Sequence, residues 1–100
     1  MNIVILEQAL EELKDAIAYY EEQQTGLGRK LKEEVNRHIS WILNHPTVPR
    51  LRNESYRRVN LKVFPYYVPY IVRGKTLWIL AIAHAHRKPE YWINRGRERS

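Results

Sequence analysis

Cysteine is absent from this 100-residue sequence, and the other usual catalytic residue types are scarce or poorly placed. Without cysteine the chain has no disulfide, no thiolate metal site and no cysteine nucleophile. None of its three serines lies in a nucleophile motif, and there is no glycine-rich phosphate loop. No pair of carboxylates in the C-terminal half supports two-acid hydrolysis. An enzyme with this sequence would have to work with arginine, lysine, histidine and tyrosine.

Long apolar runs are also absent. No stretch approaches the ~18 residues that a membrane span needs, and the start MNIVILEQ lacks the basic flank and the length of a signal peptide. We therefore expect a cytoplasmic protein with no membrane partner. One hundred residues suit a single domain. We expect that domain to cover residues 1–100, with a disordered tail over roughly residues 93–100.

Charge is distributed unevenly along the chain. Residues 1–24 hold six acids against one lysine, a balance of −5, whereas residues 56–100 hold ten lysines or arginines against two acids, a balance of +8. With +3 from the middle, the net charge is +6. A basic surface of this kind favours an anionic partner, either nucleic acid or an acidic protein segment. The alternative is that the charge serves solubility alone.

Two amphipathic helices follow a short N-terminal strand over residues 3–6. The first helix is predicted from residue 7 to about 24, and the second from about 27 to 44. TGLG between them supplies a glycine for the left-handed position at a helix end. Their apolar residues recur at steps of three and four, which places each set on one helix face. These stripes are Leu10, Leu13, Ile17 and Tyr20 in the first helix and Leu31, Val35, His38 and Ile42 in the second.

Strand patterns fill the second half of the chain after the proline-containing loop NHPTVPRLRNES. RRVNLKVF alternates apolar and polar residues, YYVPYIV follows, and TLWILAIAHAH is predicted to be the longest strand. Pro69 cannot donate to a ladder, so it must face outward on an edge or lie at a bulge. The fold class predicted is α+β. The N-terminal strand and helical hairpin pack on one face of a small, mainly antiparallel sheet.

Two histidines end the last predicted strand. On a continuous strand His84 and His86 share a face with Trp78, Leu80 and Ile82. Such a pair can ligate a metal, but a third ligand is lacking nearby except for Glu90, so no metal site is predicted. The histidines are either surface residues at a strand end or an acid–base pair facing a phosphate.

Cations lie at both ends of the strand region, and they could converge on one rim if the strands that carry them are neighbours. Arg57, Arg58 and Lys62 begin the strand region, and Arg87 and Lys88 follow its last strand. Guanidinium groups suit phosphates by charge and by geometry. Tyr91 and Trp92 could stack on a base, although Trp92 could equally cap the core.

The sequence as a whole resembles the RelE/ParE superfamily of toxins from type II toxin–antitoxin systems, also called plasmid stabilisation proteins. The resemblance covers nearly the whole chain. It rests on the order of ALEELKDAIAYYEEQQTGLGRKLKEEV, the loop NHP, YRRVNLKVFPYYVPYIV and ILAIAHAHRKPEYWINR. It implies a helical hairpin packed on a small antiparallel sheet, no cofactor, and a co-encoded antitoxin as partner.

The superfamily divides by target, and the resemblance implies different sites for its branches. One branch cuts mRNA on the ribosome with basic residues of the meander strands. Arg58 and Lys62 keep that character, but Asn60 and Tyr67 stand where a lysine and an arginine are expected. Other nuclease members use a histidine and a tyrosine near the C-terminus. His84, His86, Arg87 and Tyr91 are the candidate catalytic set on that reading, with Arg57, Arg58, Lys62, Lys88 and Trp92 binding RNA or another target.

The function expected from the resemblance is a toxin that arrests growth by acting on translation or on DNA topology. Its partners would be an antitoxin and either the ribosome with its mRNA or DNA gyrase. Whether it is an enzyme stays open. If it is, it is a metal-independent, ribosome-dependent endoribonuclease. The alternatives are a ParE-like gyrase inhibitor without catalysis and a nucleic-acid-binding module without toxicity.

Overall fold

A computed structural model describes residues 1–97 of the chain. The two long helices agree with the sequence prediction to within one residue. None of the helices among these residues has the length and apolarity to cross a membrane. The elements in chain order are β1 (Asn2–Ile5), α1 (Glu7–Gln23), α2 (Leu27–Asn44), β2 (Arg57–Asn60), β3 (Tyr66–Arg73), β4 (Thr76–Ile79), β5 (Ala83–His84) and α3 (Ile93–Arg97).

The turn of the helical hairpin depends on two glycines and one carboxylate. Gly26 has a φ of +89°, in the left-handed region that glycine adopts without a steric cost. A Cβ on Gly28 would lie 2.6 Å from the carbonyl oxygen of Ile17, so only glycine allows the two helices to come this close. The Glu21 carboxylate accepts hydrogen bonds from the backbone N–H groups of Gly26 (2.9 Å) and Gly28 (3.0 Å). The sequence predicted a left-handed glycine at the C-terminal end of the first helix. The structure shows a left-handed glycine in this turn, but it is Gly26 at the N-terminal end of α2, and α1 is followed by Gln24 in an extended conformation.

The sheet confirms the predicted α+β class. Its strands run in the order β1-β4-β3-β2, and β5 pairs with β3 beyond the end of β4. β1 is parallel to β4, and the remaining pairs are antiparallel. The N-terminal strand is an edge of the sheet, and β2 is the opposite edge.

A β-bulge interrupts the strand that the sequence predicted to be continuous and longest. Tyr70 pairs with Ile79 and Tyr67 pairs with Ala83, so two residues of β3 face three residues between β4 and β5. Pro69 is fully buried opposite this bulge, and its carbonyl accepts a hydrogen bond from Leu80 N–H at 3.0 Å. The nitrogen of Pro69 faces the same side, where the ladder is already broken. The sequence predicted that Pro69 lies at an edge or at a bulge, and the structure shows that it lies at a bulge.

The extra residue moves His84 to the other face of the sheet. It makes His84 pair with Tyr66, whereas an unbroken register would have placed Ala83 there. Tyr66 faces the helical hairpin, since its ring contacts that of Tyr20 in α1 at a centroid distance of 6.3 Å. The prediction that His84 shares a face with Trp78 and Leu80 is therefore wrong, because the alternation of side chains does not survive a bulge.

The C-terminal segment covers the face of the sheet opposite the hairpin. Trp92 is fully buried there, and its indole N–H donates to the hydroxyl of Tyr67 at 3.0 Å. Arg73 donates to the carbonyl of Gly96 at 2.9 Å and fixes α3. The sequence predicted a disordered tail over residues 93–100, but Ile93–Arg97 form α3 in the structure. Residues 98–100 lie outside the described residues.

Candidate functional site

The carboxylate of Glu12 joins α1 to the bulge and to the C-terminal segment. It accepts hydrogen bonds from the Tyr91 hydroxyl at 2.5 Å, from the Arg95 guanidinium at 2.9 and 3.3 Å, and from the Ile82 N–H at 3.2 Å. Arg95 also donates to the carbonyl of Leu80 at 3.0 Å. These four bonds use the acceptor sites that a carboxylate offers. Glu12 therefore holds three segments of the chain together, namely α1, the bulge and the C-terminal segment.

Arg87 is a second and looser cation at the same carboxylate. Its guanidinium lies 3.7 Å from Glu12, and its side chain is 57% exposed, whereas that of Arg95 is 20% exposed. The guanidinium carbon of Arg87 lies 3.8 Å from the centre of the Tyr91 ring, a cation–π contact. Arg95 is thus the closer and more buried partner of Glu12, and Arg87 is the cation that is more accessible to solvent.

The hydroxyl of Tyr91 is not a free base. Burial raises the pKa of Tyr91 well above its usual range, and its hydrogen bond to the Glu12 carboxylate raises it further. The charges of Arg87 and Arg95 oppose this shift without reversing it. At neutral pH the hydroxyl is protonated, and it donates its hydrogen bond to Glu12.

The two histidines form a rim beside this cluster. The ring of His84 makes an edge contact with that of Tyr66 at 5.0 Å, and His86 lies next to it at 5.1 Å. The Nδ1 atom of His84 accepts the backbone N–H of His86 at 3.1 Å, which fixes the orientation of the His84 ring. Within residues 1–97 no three histidine, aspartate or glutamate side chains are grouped to hold a metal ion.

A surface cleft of about 310 Å³ opens between α1 and this rim. We call it the α1 cleft. Three of the four residues that the sequence proposed as catalytic are close to one another here, since His84, Arg87 and Tyr91 all line it. The complete lining is Glu12, Asp15, Ala16, Tyr19, Tyr66, Ile82, His84, Arg87 and Tyr91.

Three of the cations proposed to bind the target do not line this cleft, namely Arg57 of β2 and the lysines Lys62 and Lys88. Arg57 is used structurally, because it donates to the carbonyls of Pro49 at 2.7 Å and Thr47 at 3.3 Å and holds the loop before β2. Lys62 and Lys88 are exposed. None of the three lines the cleft.

Arg58 belongs to a separate basic group on the other face of the sheet. Its guanidinium lies 4.6 Å from the centre of the Tyr67 ring, and its buried Nε has no hydrogen-bond partner within residues 1–97. Burial lowers the pKa of Arg52, and the neighbouring Arg58 and Arg50 lower it further. Arg58 and Arg50 are therefore the positive charges that neighbour Arg52.

Trp92 is not a target-binding residue in this structure. Its ring is fully buried and meets Tyr56 edge-on at 4.6 Å, so neither face is open to a base. The proposal of Trp92 as a stacking residue is corrected in favour of its alternative role as a core residue. Tyr67, whose position is expected to hold an arginine in the nuclease branch, is also buried and accepts the Trp92 N–H.

Glu12 is the functional residue that sequence reasoning missed. The sequence predicted that Leu10 belongs to the apolar face of α1. In the structure Leu10 is 40% exposed, while the small residues Ala9 and Ala16 are buried. Glu12 stands three residues after Ala9 and four before Ala16, on the same helix face. A carboxylate between two alanines that face the core was the available signal.

Comparison with known proteins identifies the family at this point. The model of the family described as "ParE toxin of type II toxin-antitoxin system, parDE" matches residues 3–89. The chain belongs to this ParE toxin family. The resemblance to RelE/ParE toxins is thus confirmed, and with it the function of a toxin of a type II system. Membership of such a system implies a co-encoded antitoxin as partner.

A solved structure supports the fold of this ParE-family toxin. The chain is similar to one described as "Chromosomal ParDE TA system from P. aeruginosa", with 20% identity and a TM-score of 0.65 over 86% of this chain and 97% of that chain. A search of curated proteins found no match. The family match ends at Pro89, so Tyr91, Trp92 and Arg95 lie beyond it.

Replacement of Glu12 by glutamine should destabilise this toxin by about 2 kcal/mol, because the hydrogen bonds of Arg95 and Tyr91 lose a charged acceptor. Urea denaturation monitored by tryptophan fluorescence measures the change. Glu11→Gln is the matched control, since Glu11 is the exposed neighbour and its replacement should change stability by less than about 0.5 kcal/mol. Equal stability of the two variants would contradict the fastening role of Glu12.

The free energy of unfolding should fall as the pH rises above about 10. Burial raises the pKa of Tyr56 and Tyr70 to about 12, and that of Tyr91 is raised as well. Unfolded tyrosines ionise near pH 10, so the stability held by these protonated phenols is complete below that pH and is lost between about 10 and 12. Tyrosinate absorbance of folded and urea-unfolded protein measures both titrations. If the two curves coincide, the shifts do not exist.

Proposed function

We propose that this toxin arrests growth by binding DNA gyrase in the cytoplasm, without cutting RNA. The observation that carries the proposal is the state of Tyr91. Its hydroxyl donates a hydrogen bond to Glu12, and its ring is covered by Arg87. Metal-free cleavage of RNA needs a base for the 2′-hydroxyl and cations around the phosphate. The hydrogen bond to Glu12 does not favour the role of base that the resemblance would assign to Tyr91.

The cations that a nuclease site needs are also dispersed. Arg57 is bound to loop carbonyls, and Arg58 lies over Tyr67 on the opposite face from the α1 cleft. Asn60 and the buried Tyr67 stand where the nuclease branch is expected to hold cations. These features favour a toxin that acts through its surface over one that acts through a reaction.

A ribosome-dependent nuclease is the rival function, and one observation favours it. His84 and Arg87 line the same cleft, and the Nε2 atom of His84 makes no hydrogen bond within residues 1–97. A histidine and an arginine in one cleft are the minimum for acid–base chemistry beside a phosphate. The experiment therefore also measures mRNA cleavage, which only the nuclease would produce.

Tyr91→Phe separates the two functions, because it removes the hydroxyl and keeps the ring on which Arg87 rests. We expect the variant to inhibit DNA supercoiling by purified gyrase within about twofold of the wild type, with no new 5′ mRNA ends in a cell-free translation reaction from either protein. New ends on translated message, produced by the wild type and lost in Tyr91→Phe or His84→Ala, would replace the proposal by the nuclease. Thermal melting of each variant serves as the folding control.

We also propose where the antitoxin binds. β2 is an edge strand, and within the described chain no strand pairs with its outer side. Leu61 N–H donates to Tyr66 at 2.9 Å, and the ladder alternates from there. The backbone N–H and C=O groups of Arg58 and Asn60 therefore point outward. Such an edge accepts an extended segment as an additional strand.

The groove beside this edge indicates the composition of that segment. A groove of about 620 Å³ lies between α2 and β2 and exposes Trp41 and Val59. Its Glu34 is already used, because the carboxylate accepts the N–H groups of Lys62 and Val63. Within residues 1–97 neither Arg37 nor Lys62, which also line the groove, takes part in an ion pair. An extended segment with apolar and acidic side chains fits this groove.

Asn60→Pro tests the docking of the antitoxin, since it removes one outward N–H and no hydrogen bond to β3. The variant should bind the co-encoded antitoxin about tenfold more weakly than the wild type, whereas Asn60→Ala should bind normally. Calorimetric titration of the antitoxin into each purified toxin measures the dissociation constants. Equal affinity of the two variants would place the antitoxin elsewhere on the toxin.

A further inference from the structure

The α1 cleft combines aromatic walls with carboxylates, although the net charge of the protein is +6. Tyr19, Tyr66 and Tyr91 all line it, together with Asp15 and Glu12 of α1. The side chain of Tyr19 is 58% exposed. Rings and carboxylates together form the environment that holds cationic side chains, by cation–π attraction and by charge.

The cleft already holds one cation of the protein itself. Arg87 lies 3.8 Å from the centre of the Tyr91 ring and 3.7 Å from the Glu12 carboxylate. This contact shows that a guanidinium group fits against the cleft wall. It fills only the side of the cleft near the C-terminal segment, since Tyr19 and Tyr66 make no cation–π contact within residues 1–97.

Asp15 leaves the α1 side of the cleft with an unused negative charge. Glu12 has its acceptor sites filled, but Asp15 is exposed and forms no ion pair within residues 1–97. The surrounding sequence increases the effect, because residues 1–24 carry a balance of −5. A cation that enters beside Tyr19 would therefore meet an acceptor that the fold does not use.

We propose that the α1 cleft binds an arginine or lysine side chain from the protein target, seated between Tyr19 and Tyr66 and paired with Asp15. The inference rests on the proposed function, because it names the chemistry of the surface that this toxin binds. The partner is a protein and not a nucleic acid, since Asp15 and the other acids of α1 repel phosphates. Tyrosine and arginine are also the side chains that contribute most at protein–protein interfaces.

The first test uses short peptides and the intact toxin. The probes are the tripeptides acetyl-Gly-Arg-Gly-amide and acetyl-Gly-Lys-Gly-amide, with acetyl-Gly-Glu-Gly-amide as the charge control, titrated at low salt and followed by NMR. We expect saturable shifts of the Tyr19 and Tyr66 ring signals with the two cationic peptides alone. Absence of saturable shifts, equal shifts with the glutamate peptide, or the same shifts with a single-stranded oligonucleotide would overturn the inference.

Variants of the exposed cleft residues make the test specific. Asp15→Asn and Tyr19→Leu should each weaken binding of the arginine peptide by about threefold or more. Glu22→Gln is the matched control, because it removes the same charge from the same helix outside the cleft and should leave binding unchanged. If Glu22→Gln weakens binding as much as Asp15→Asn, the effect is one of general charge and the cleft is not the site. Thermal melting shows whether each variant is folded.

The supercoiling assay then separates this inference from the proposed function. We expect Asp15→Asn and Tyr19→Leu to inhibit gyrase more weakly than Glu22→Gln does. If the wild type inhibits gyrase and all three variants inhibit it equally, the cleft inference fails and the proposed function stands. If the wild type leaves gyrase unaffected while the peptides bind, the proposed function fails and the cation site stands.

Discussion

The hydrogen bonds of the Glu12 carboxylate are the interaction on which the rest of this structure depends. The side chain extends from α1, on one face of the sheet, and receives Arg95 and Tyr91 from a segment that covers the other face. The C-terminal segment passes around the end of the sheet, and Glu12 fastens it there. This placement of the segment leaves Arg87 exposed at the mouth of the cleft. It also orients the Tyr91 hydroxyl, which donates its hydrogen bond to Glu12.

The bulge opposite Pro69 is the second constraint, and it acts through register. Because one extra residue separates β4 from β5, every side chain after it changes face. His84 is thereby moved from the face of Trp78 to the hairpin face, where it meets Tyr66. A proline in an interior strand would normally cost a ladder bond, but here its missing N–H coincides with the break. The bulge therefore accommodates Pro69 and also places His84 in the cleft.

The two surfaces that we propose as partner sites of this toxin differ in charge. Within residues 1–97 the groove at the β2 edge carries cations without an ion pair beside Trp41, whereas the α1 cleft carries Asp15, also without an ion pair, beside Tyr19. The groove and the cleft share no lining residue. An acidic antitoxin segment and a basic region of the target would therefore be sorted to different places on the toxin by their charge. The net charge of +6 does not show this difference between the groove and the cleft, because it is a sum over the whole sequence.

The sequence by itself determined the helical hairpin, the order of helices and strands, the α+β class and the family. The hairpin, the order of elements and the class follow from local information, because the apolar period of each helix, the glycines of TGLG and the alternation in RRVNLKVF depend on neighbours within a few residues. The family follows from the resemblance of nearly the whole chain. Only the tertiary structure decided the face of His84, the burial of Trp92, the helical conformation of residues 93–97 and the hydrogen bonds of Glu12. Each of these depends on a contact between residues far apart in the chain. The bulge exists only in pairing with β3, Trp92 is buried by Tyr56 and Tyr67, and Glu12 meets Arg95 across 83 positions. No local period encodes such a contact, because it is set by how the packed layers meet.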